Sequence, residues 1–507
     1  MESISSVSSS IGIDAIFQYV GSGVQLFSGT IFYIIISRIF TPTGVGAISL
    51  FIAIIGLFNV IFSFGLGATA QHFTSFNLGK GDNASVKKTI FRILEYGVLF
   101  SIVGFTVLFL LSPYISLIFL HSENYVFFVR VLSIILVGNI LFGILNGALL
   151  GIQNFRLSAF VNIVIWISYY MGSILLAYFF HSLFMILIGW LCGIFFGVLM
   201  YGVAIFKSLD NIPKNGNAPS ANSLFNYSLP ILLAGLISYG STYSDRFVVS
   251  GLMNLSSLGF YTYALLVASS ISIIVLPFNN ILMPKFSELY GSQKRSEISH
   301  YVKFSTILLS LIYVPSALGI SALSGMILTL LGGTNYSIAS MALSIIMVTS
   351  AIFVTQNVLT QAVASIRKTR VFVYSSILGL LTNVILSFLL IPHFGLIGAS
   401  IGYSSVSASV FIVLIYVTRR ERVFDFDIVS TGKIWFSSLI MYVLIYMLKS
   451  VFGISLWLTP VYVLSGAIVY LIMVKLLKVF SLENAEKLIS IFPVEWHRIK
   501  KLLNMFM

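Results

Sequence analysis

Long apolar runs with almost no charge recur along the whole chain, and short polar connectors separate them. Most runs reach about twenty residues, the length at which a helix crosses the roughly 30 Å hydrocarbon core of a bilayer. They are continuous, as in IFYIIIS and MALSIIMVTSAIFVTQNVL. The pattern predicts about fourteen transmembrane helices, at roughly 11–39, 43–68, 89–112, 126–150, 157–180, 183–206, 223–250, 256–286, 301–323, 335–364, 371–391, 395–418, 431–449 and 455–478.

The composition supports this interpretation. Of the 507 residues, 58% are hydrophobic and 8% are charged. No soluble fold buries so large an apolar fraction, so the predicted class is an all-α polytopic membrane protein. The chain has one cysteine, Cys192, and its six histidines are scattered. We therefore expect no intrachain disulfide, no metal site and no cofactor.

The connectors alternate in charge. Every second one is basic, such as the connector with Lys87 and Lys88 or the one with Arg367 and Arg370, whereas the others carry essentially no Lys or Arg. By the positive-inside rule, both termini are expected in the cytoplasm. The same distribution explains the net charge of +13 without any binding of nucleic acid.

An internal repeat is visible when FNYSLPILLAGLISYGSTYSDRF is compared with FQYVGSGVQLFSGTIFYIIISRIF. Aligning Phe225 with Phe17 pairs Arg246 with Arg38, and each arginine precedes a turn that contains a glycine. Equivalent spans enter from the same side, which indicates a parallel repeat about an axis along the membrane normal. The predicted domains are two six-helix lobes, two additional transmembrane helices and a cytoplasmic interfacial amphipathic tail, over residues 1–210, 211–422, 423–480 and 481–507.

Several stretches carry a family resemblance. FNYSLPILLAGLISYGSTYSDRFVVSGLMNLSSLGFYTYA, LPFNNILMPKFSEL and SIRKTRVFVYSSILGLLTNVILSFLLIPHFGLIGASIGY occur in the order found in Wzx-type polysaccharide transporters. The chain thus resembles the multidrug/oligosaccharidyl-lipid/polysaccharide (MOP) superfamily over roughly residues 10–420. The resemblance implies two lobes around a cavity with alternating access. It also implies a lipid-linked oligosaccharide of the polyprenyl-phosphate type as substrate, moved from the cytoplasmic to the outer leaflet.

A pyrophosphate head group that crosses a bilayer requires cationic partners, because uncompensated charge in hydrocarbon is unfavourable by several kcal/mol. Arg38 and Arg246 are the main candidates, since both lie in the outer third of the first span of a half. Arg130 is a further candidate. The alternative is that these long side chains extend to the outer headgroups instead.

Asp245 is unusual because its side chain is too short to reach the headgroups from within a span. It is predicted either to form a structural contact with a neighbouring helix or to serve as a coupling site for H⁺ or Na⁺. Adjacent helix positions point about 100° apart, so its side chain is poorly placed to pair with that of Arg246. Some MOP carriers have an acid in the middle of the first span, whereas Asp14 lies near its cytoplasmic end here.

Aromatic rings and amides suit sugar binding through stacking and hydrogen bonds. The candidates are Gln18, Tyr19, Gln25, Asn59, Tyr239, Tyr243, Asn279, Asn280 and Gln356. Each could equally be a packing or interface residue.

Two transport functions fit these observations. The first is a flippase for lipid-linked oligosaccharides in the cell membrane, acting as a monomer among membrane lipids. The alternative is a cation-coupled, MATE-like exporter of small molecules. A membrane enzyme is not expected, because the outer connectors are short and nearly uncharged and no phosphate-binding G-x-x-x-x-G-K-[ST] motif is present.

Overall fold

The computed structural model of the protein describes residues 2–210, 216–423, 425–453 and 455–479. Side chains are described within these ranges, except at residues 2–16, Tyr19, Ile273, Leu276, Pro277 and Asn280. All regular secondary structure in the described ranges is helical, which confirms the all-α prediction. Helices α1 to α18 span Glu2–Ile39, Pro42–Ser63, Leu66–Gly79, Asn83–Phe119, Val126–Gly151, Phe155–Phe180, Leu183–Leu209, Ala221–Leu252, Leu255–Ser270, Leu276–Gly291, Arg295–Ala322, Ser324–Gly332, Ser340–Ile352, Thr355–Ser365, Arg370–Phe394, Leu396–Arg420, Ile428–Phe452 and Thr459–Leu476.

Thirteen helical segments in the described residues are long and apolar enough to cross a membrane, so the multi-pass prediction is confirmed. The remaining predicted span, 256–286, is two helices, α9 and α10, joined by a short 3₁₀ turn. Proline stands in the first turn of α10. This position suits proline, which lacks the N–H that a helix interior requires. The predicted interfacial tail, 481–507, lies outside the described residues.

The chain forms two compact units, residues 1–262 and residues 263–507. In the first unit, α1 packs against α6, α4 against α5, and α2 against α8. Helices α2 and α3 are separated by Phe64 and Gly65, whose φ angles of 51° and 68° lie in the left-handed region. A Cβ at Gly65 would lie 3.0 Å from the Ser228 carbonyl oxygen, so the absence of a side chain lets this turn approach α8.

A backbone contact joins α2 to the start of α9. A Cβ atom at Gly46 would lie 1.8 Å from the Leu255 carbonyl oxygen, and one at Gly259 would lie 1.9 Å from the Pro42 carbonyl oxygen. Both positions therefore require glycine. The sequence predicts Gly46 and Gly259 in equivalent turns, whereas the structure places both near the starts of helices, α2 and α9, whose backbones touch there.

We expect Gly46→Ala to lower the free energy of unfolding by about 2 kcal/mol or more, because its methyl group cannot fit without moving two backbones apart. Thermal unfolding of the purified protein in detergent would measure this change. Gly202→Ala is the matched control, since a Cβ there meets nothing within 4 Å. This control should be neutral or slightly stabilising. Equal melting temperatures for Gly46→Ala and wild type would contradict the close approach.

In the second unit, α15 packs against α16, and α11 packs against α13 and α17. Helix α17 begins after Asp427, whose carboxylate accepts hydrogen bonds from the Ser430 N–H at 2.9 Å and the Ser430 hydroxyl at 3.0 Å. Partial burial acts to raise the pKa of Asp427, but these hydrogen bonds and nearby Lys303 outweigh it and lower the pKa. Near its other end, α17 is joined to α11 by Lys449, whose ammonium donates to the Ala322 carbonyl at 2.6 Å.

Candidate functional site

Helix α8 carries an aromatic and cationic stack on one face. Tyr239, Tyr243 and Arg246 are spaced by four and three residues, which places their side chains one above the other. The two tyrosine rings stack with centroids 4.5 Å apart, and the Arg246 guanidinium carbon lies 4.1 Å from the Tyr243 centroid. All three residues are half-buried. The stack therefore combines a cation with aromatic rings that stay partly accessible.

Neighbouring helices of the first unit extend this stack into a tyrosine cluster, formed by Tyr33, Tyr170, Tyr239 and Tyr243. Tyr33 of α1 and Tyr170 of α6 lie close enough to each other and to Tyr243 for their hydroxyl groups to interact electrostatically. The Tyr239 hydroxyl donates to the Ala53 carbonyl of α2 at 2.8 Å, which fixes the position of the Tyr239 ring. Three helices besides α8 thus shape the surroundings of Arg246.

The Arg246 guanidinium retains capacity for a ligand. Within the described residues it donates one hydrogen bond, from Nη1 to the Thr242 carbonyl at 3.4 Å. Because a guanidinium has five N–H donors, several remain for an incoming acceptor. A planar guanidinium can bind two phosphate oxygens at once, and an aromatic ring beneath the guanidinium holds it in place.

Asp245 is fully buried, with 0% of its surface exposed. Its Oδ1 accepts the backbone N–H of Arg246 at 2.9 Å, and its Oδ2 accepts the Tyr261 hydroxyl at 2.7 Å. The carboxylate is therefore directed at α9, whereas the guanidinium of the next residue lies over Tyr243. Both oxygens already have a donor, as a buried carboxylate requires.

The other predicted site residues are distributed differently. Arg38 and Gln25 are exposed on α1. Arg130 is exposed on α5, where it lies over the Phe109 ring and its Nε donates to the Ser112 hydroxyl at 3.4 Å. The side chains of Tyr19, Asn280 and Asp14 lie outside the described part of the structure. Of the predicted residues, the structure brings Tyr243 and Arg246 into contact, whereas the Asp245 carboxylate faces Tyr261 of α9.

Three members of this site were not predicted: Tyr33, Tyr170 and Tyr261. They lie on other helices and carry no motif that distinguishes them from tyrosines used in packing. Their roles follow from tertiary contacts with α8. In the described residues, no group of three His, Cys, Asp or Glu side chains could hold a metal ion.

This arrangement of helices defines the class of protein: a multi-pass membrane protein with the fold of MOP-superfamily transporters. The structure matches the lipid II flippase MurJ in an inward closed conformation with a TM-score of 0.74. That match has 18% sequence identity and covers 91% of this chain and 99% of MurJ. An inward-facing multidrug resistance MATE transporter of the MOP superfamily gives a TM-score of 0.63 at 13% identity, over 79% of this chain and 94% of the transporter.

The chain belongs to the polysaccharide biosynthesis protein family, whose profile matches residues 35–341. The resemblance to polysaccharide transporters of the MOP superfamily is thereby confirmed. An uncharacterized membrane protein of Methanocaldococcus jannaschii, MJ1375, is 23% identical over 420 residues, or 77% of this chain and 94% of the relative. The probable low-salt glycan biosynthesis flippase Agl15 of Haloferax volcanii is 22% identical over 258 residues, or 50% of this chain and 54% of Agl15.

Proposed function

We propose that the protein is an alternating-access flippase that moves a lipid-linked oligosaccharide from the cytoplasmic to the outer leaflet of the cell membrane. The observation that carries this proposal is the stack of Tyr239, Tyr243 and Arg246 in the first unit. Membership of the polysaccharide biosynthesis protein family supports it, as does the similarity to Agl15, a probable glycan biosynthesis flippase.

The stack suits the two chemical parts of such a head group. A phosphate or diphosphate attached to a polyprenyl chain accepts charge-assisted hydrogen bonds, and arginine donates them in pairs. The first sugar is attached directly to that phosphate, so its apolar face would lie beside the tyrosine rings. Aromatic rings bind sugar faces through apolar contact, and their hydroxyls provide hydrogen bonds.

Partial burial strengthens the interaction of Arg246 with a bound anion. A cation at a half-buried site interacts more strongly with an anion than one in bulk water, because the local dielectric constant is lower. At the same time, the fixed ring of Tyr243 reduces the conformational entropy that the side chain loses on binding. The lipid tail would stay in the bilayer, so that only the polar head crosses past this site. Arg38 and Arg130 stay predicted contacts for the same anion.

The charge distribution of the connectors supports an orientation with both termini in the cytoplasm. We propose that the flippase acts as a monomer.

A second candidate function is cation-coupled export of small molecules, and the buried carboxylate of Asp245 is the observation that favours it. Coupling ions bind at buried acids that can exchange a proton or a sodium ion. The two hydrogen bonds that Asp245 already accepts favour a structural role instead.

The proposal is tested with the full-length protein reconstituted in vesicles. Fluorescent polyprenyl diphosphates that carry a short neutral glycan should cross the bilayer much faster than in protein-free vesicles, as measured by access of a membrane-impermeant quencher. A lipophilic fluorescent cation serves as the control substrate and should not be transported. Transport of the cation without transport of any glycolipid would contradict the flippase and support the exporter.

A further inference from the structure

Three uncharged polar side chains lie together between α1 and α6 of the first unit. They are Gln25 of α1 and Trp166 and Tyr170 of α6. Gln25 is exposed, and the two aromatic residues are half-buried. Such a group suits a neutral ligand, because it offers hydrogen bonds and apolar rings but no charge.

Two glycines of α1 show how the two helices are aligned. A Cβ atom at Gly21 would lie 3.6 Å from the Ala159 carbonyl oxygen, and one at Gly29 would lie 3.3 Å from the Tyr170 hydroxyl oxygen. Positions that increase along α1 therefore meet positions that increase along α6. The two helices run parallel, and their successive turns lie side by side.

Gln25 and Trp166 occupy neighbouring turns in this alignment. Gln25 comes four residues before Gly29, and Trp166 comes four residues before Tyr170, so both lie about one turn before the contact between Gly29 and Tyr170. The Trp166 and Tyr170 rings stack with centroids 5.8 Å apart and 23° between their planes. An aromatic surface with an amide at the same height is the combination that binds sugars.

Trp166 is directed away from the apolar exposed face of α6. That face carries Phe160, Ile167 and Met171. Successive residues of a helix are about 100° apart, so Trp166 points about 100° or more away from each of these three. Its ring instead meets the edge of the Phe142 ring of α5, with centroids 6.3 Å apart. The accessible part of Trp166 therefore lies on the side of the neighbouring helices.

Gln25 likewise lies apart from an apolar exposed face of α1. That face carries Val20, Phe27 and Ile31. Helical geometry places Gln25 about 120° or more from each of them, on the same side as Gly29. The exposed amide of Gln25 is therefore on the side of α1 that meets α6.

The polar atoms of the group are available to a ligand. Within the described residues, the Gln25 amide, the Trp166 indole N–H and the Tyr170 hydroxyl take part in no hydrogen bond. None of them is among the fully buried polar atoms, whereas the indole N–H of Trp190 is buried. The group thus combines unpaired donors and acceptors with accessible surface.

The group also continues the stack of α8. Tyr170 lies close enough to Tyr243 for their hydroxyl groups to interact electrostatically, and Trp166 stacks on Tyr170. Tyr170 therefore links the ring of Tyr243 to that of Trp166. A chain of sugars that begins beside Tyr243 would meet Trp166 and Gln25 next.

We propose that Gln25, Trp166 and Tyr170 bind the second sugar residue of the transported molecule, which narrows the substrate to lipids with a neutral glycan of at least two sugars. This proposal rests on the proposed function, which places the first sugar beside the tyrosine rings of α8. An apolar face of the second sugar lies against the accessible part of the Trp166 ring. Its hydroxyls bond to the Gln25 amide, the indole N–H and the Tyr170 hydroxyl.

The test measures equilibrium binding to the full-length protein in lipid nanodiscs. The probes are three polyprenyl diphosphates that carry no sugar, one neutral hexose or two neutral hexoses. Wild type should bind the two-sugar lipid about tenfold more tightly than the one-sugar lipid, as expected from one aromatic contact and one hydrogen bond. Trp166→Leu should abolish this gain and leave the difference between the one-sugar lipid and the bare lipid unchanged.

A second variant removes a polar group without disturbing packing. Because Gln25 is exposed, Gln25→Leu should keep the melting temperature of wild type and reduce the tenfold gain to about threefold. Two matched controls should bind all three lipids like wild type. They are Gln71→Leu, at an exposed glutamine of α3, and Trp435→Leu, at a half-buried tryptophan of α17.

The outcomes separate this proposal from the proposed function. Equal binding of the one-sugar and two-sugar lipids by wild type would overturn the second-sugar site alone. A full tenfold gain in both Trp166→Leu and Gln25→Leu would overturn it too, as would equal weakening of all three lipids by both variants. Failure of wild type to bind any of the three lipids would contradict the flippase as well.

Discussion

Replacing Arg246 by glutamine should slow transport of a diphosphate-headed lipid by about 100-fold, because two charge-assisted hydrogen bonds to the head group are lost. Gln keeps the polarity of the side chain but is shorter and lacks the charge and the paired donors. Lysine at the same position keeps the charge without the planar, paired geometry, so Arg246→Lys should recover part of the rate. The vesicle assay with the fluorescent glycolipid measures all three proteins.

The matched control for Arg246 is Arg92→Gln. Arg92 is largely exposed on α4 and pairs with Glu95 at 3.2 Å, so its replacement removes a cation without touching the tyrosine cluster. This variant should transport at the wild-type rate, because exposed ion pairs contribute little. A rate for Arg246→Gln within about threefold of wild type would show that the anion does not depend on this residue.

Asp245 should behave as a structural residue. Asp245→Ala is expected to lower the free energy of unfolding by about 3 kcal/mol, because the Tyr261 hydroxyl and the Arg246 N–H both lose a buried acceptor. Asp245→Asn can keep both contacts: its oxygen accepts the backbone N–H, and its amide donates to the tyrosine hydroxyl. Asn should therefore preserve stability to within about 1 kcal/mol and transport to within about threefold.

The same pair of variants tests ion coupling. If Asp245 carried the coupling ion, the Asn variant would fold normally but lose any dependence of transport on a proton or sodium gradient. Thermal unfolding in detergent and transport with imposed gradients distinguish these results. Tyr261→Phe provides a matched control, since it removes one donor to the carboxylate and leaves the carboxylate in place. It should destabilise the protein by about 1–2 kcal/mol without changing the gradient dependence.

Some features of the site follow from local spacing. The separations of Tyr239, Tyr243 and Arg246 place them on one helix face, and the stack confirms that geometry. The same rule separates the side chains of Asp245 and Arg246, because neighbours on a helix point about 100° apart. The geometry of a single helix determines these side-chain positions, so they could be predicted from the sequence without knowing which helices pack against α8.

Other features could not be predicted because they depend on contacts distant in sequence. Tyr33 and Tyr170 reach the stack from α1 and α6, and Tyr261 reaches Asp245 from α9. Hydropathy alone did not locate the break between α9 and α10, since the apolar run continues through it.

The sequence by itself determined the membrane class, most of the spans and the family resemblance. These features depend on hydropathy and on local spacing. An apolar run inside a bilayer forms a helix, because its backbone N–H and C=O groups must hydrogen-bond to each other in the absence of water. Only the tertiary structure decided which polar groups share a site. Helix packing brings Tyr33 close to Arg246 and Tyr170 close to Tyr243. Such contacts arise from the shapes of facing side chains, and no local pattern records them.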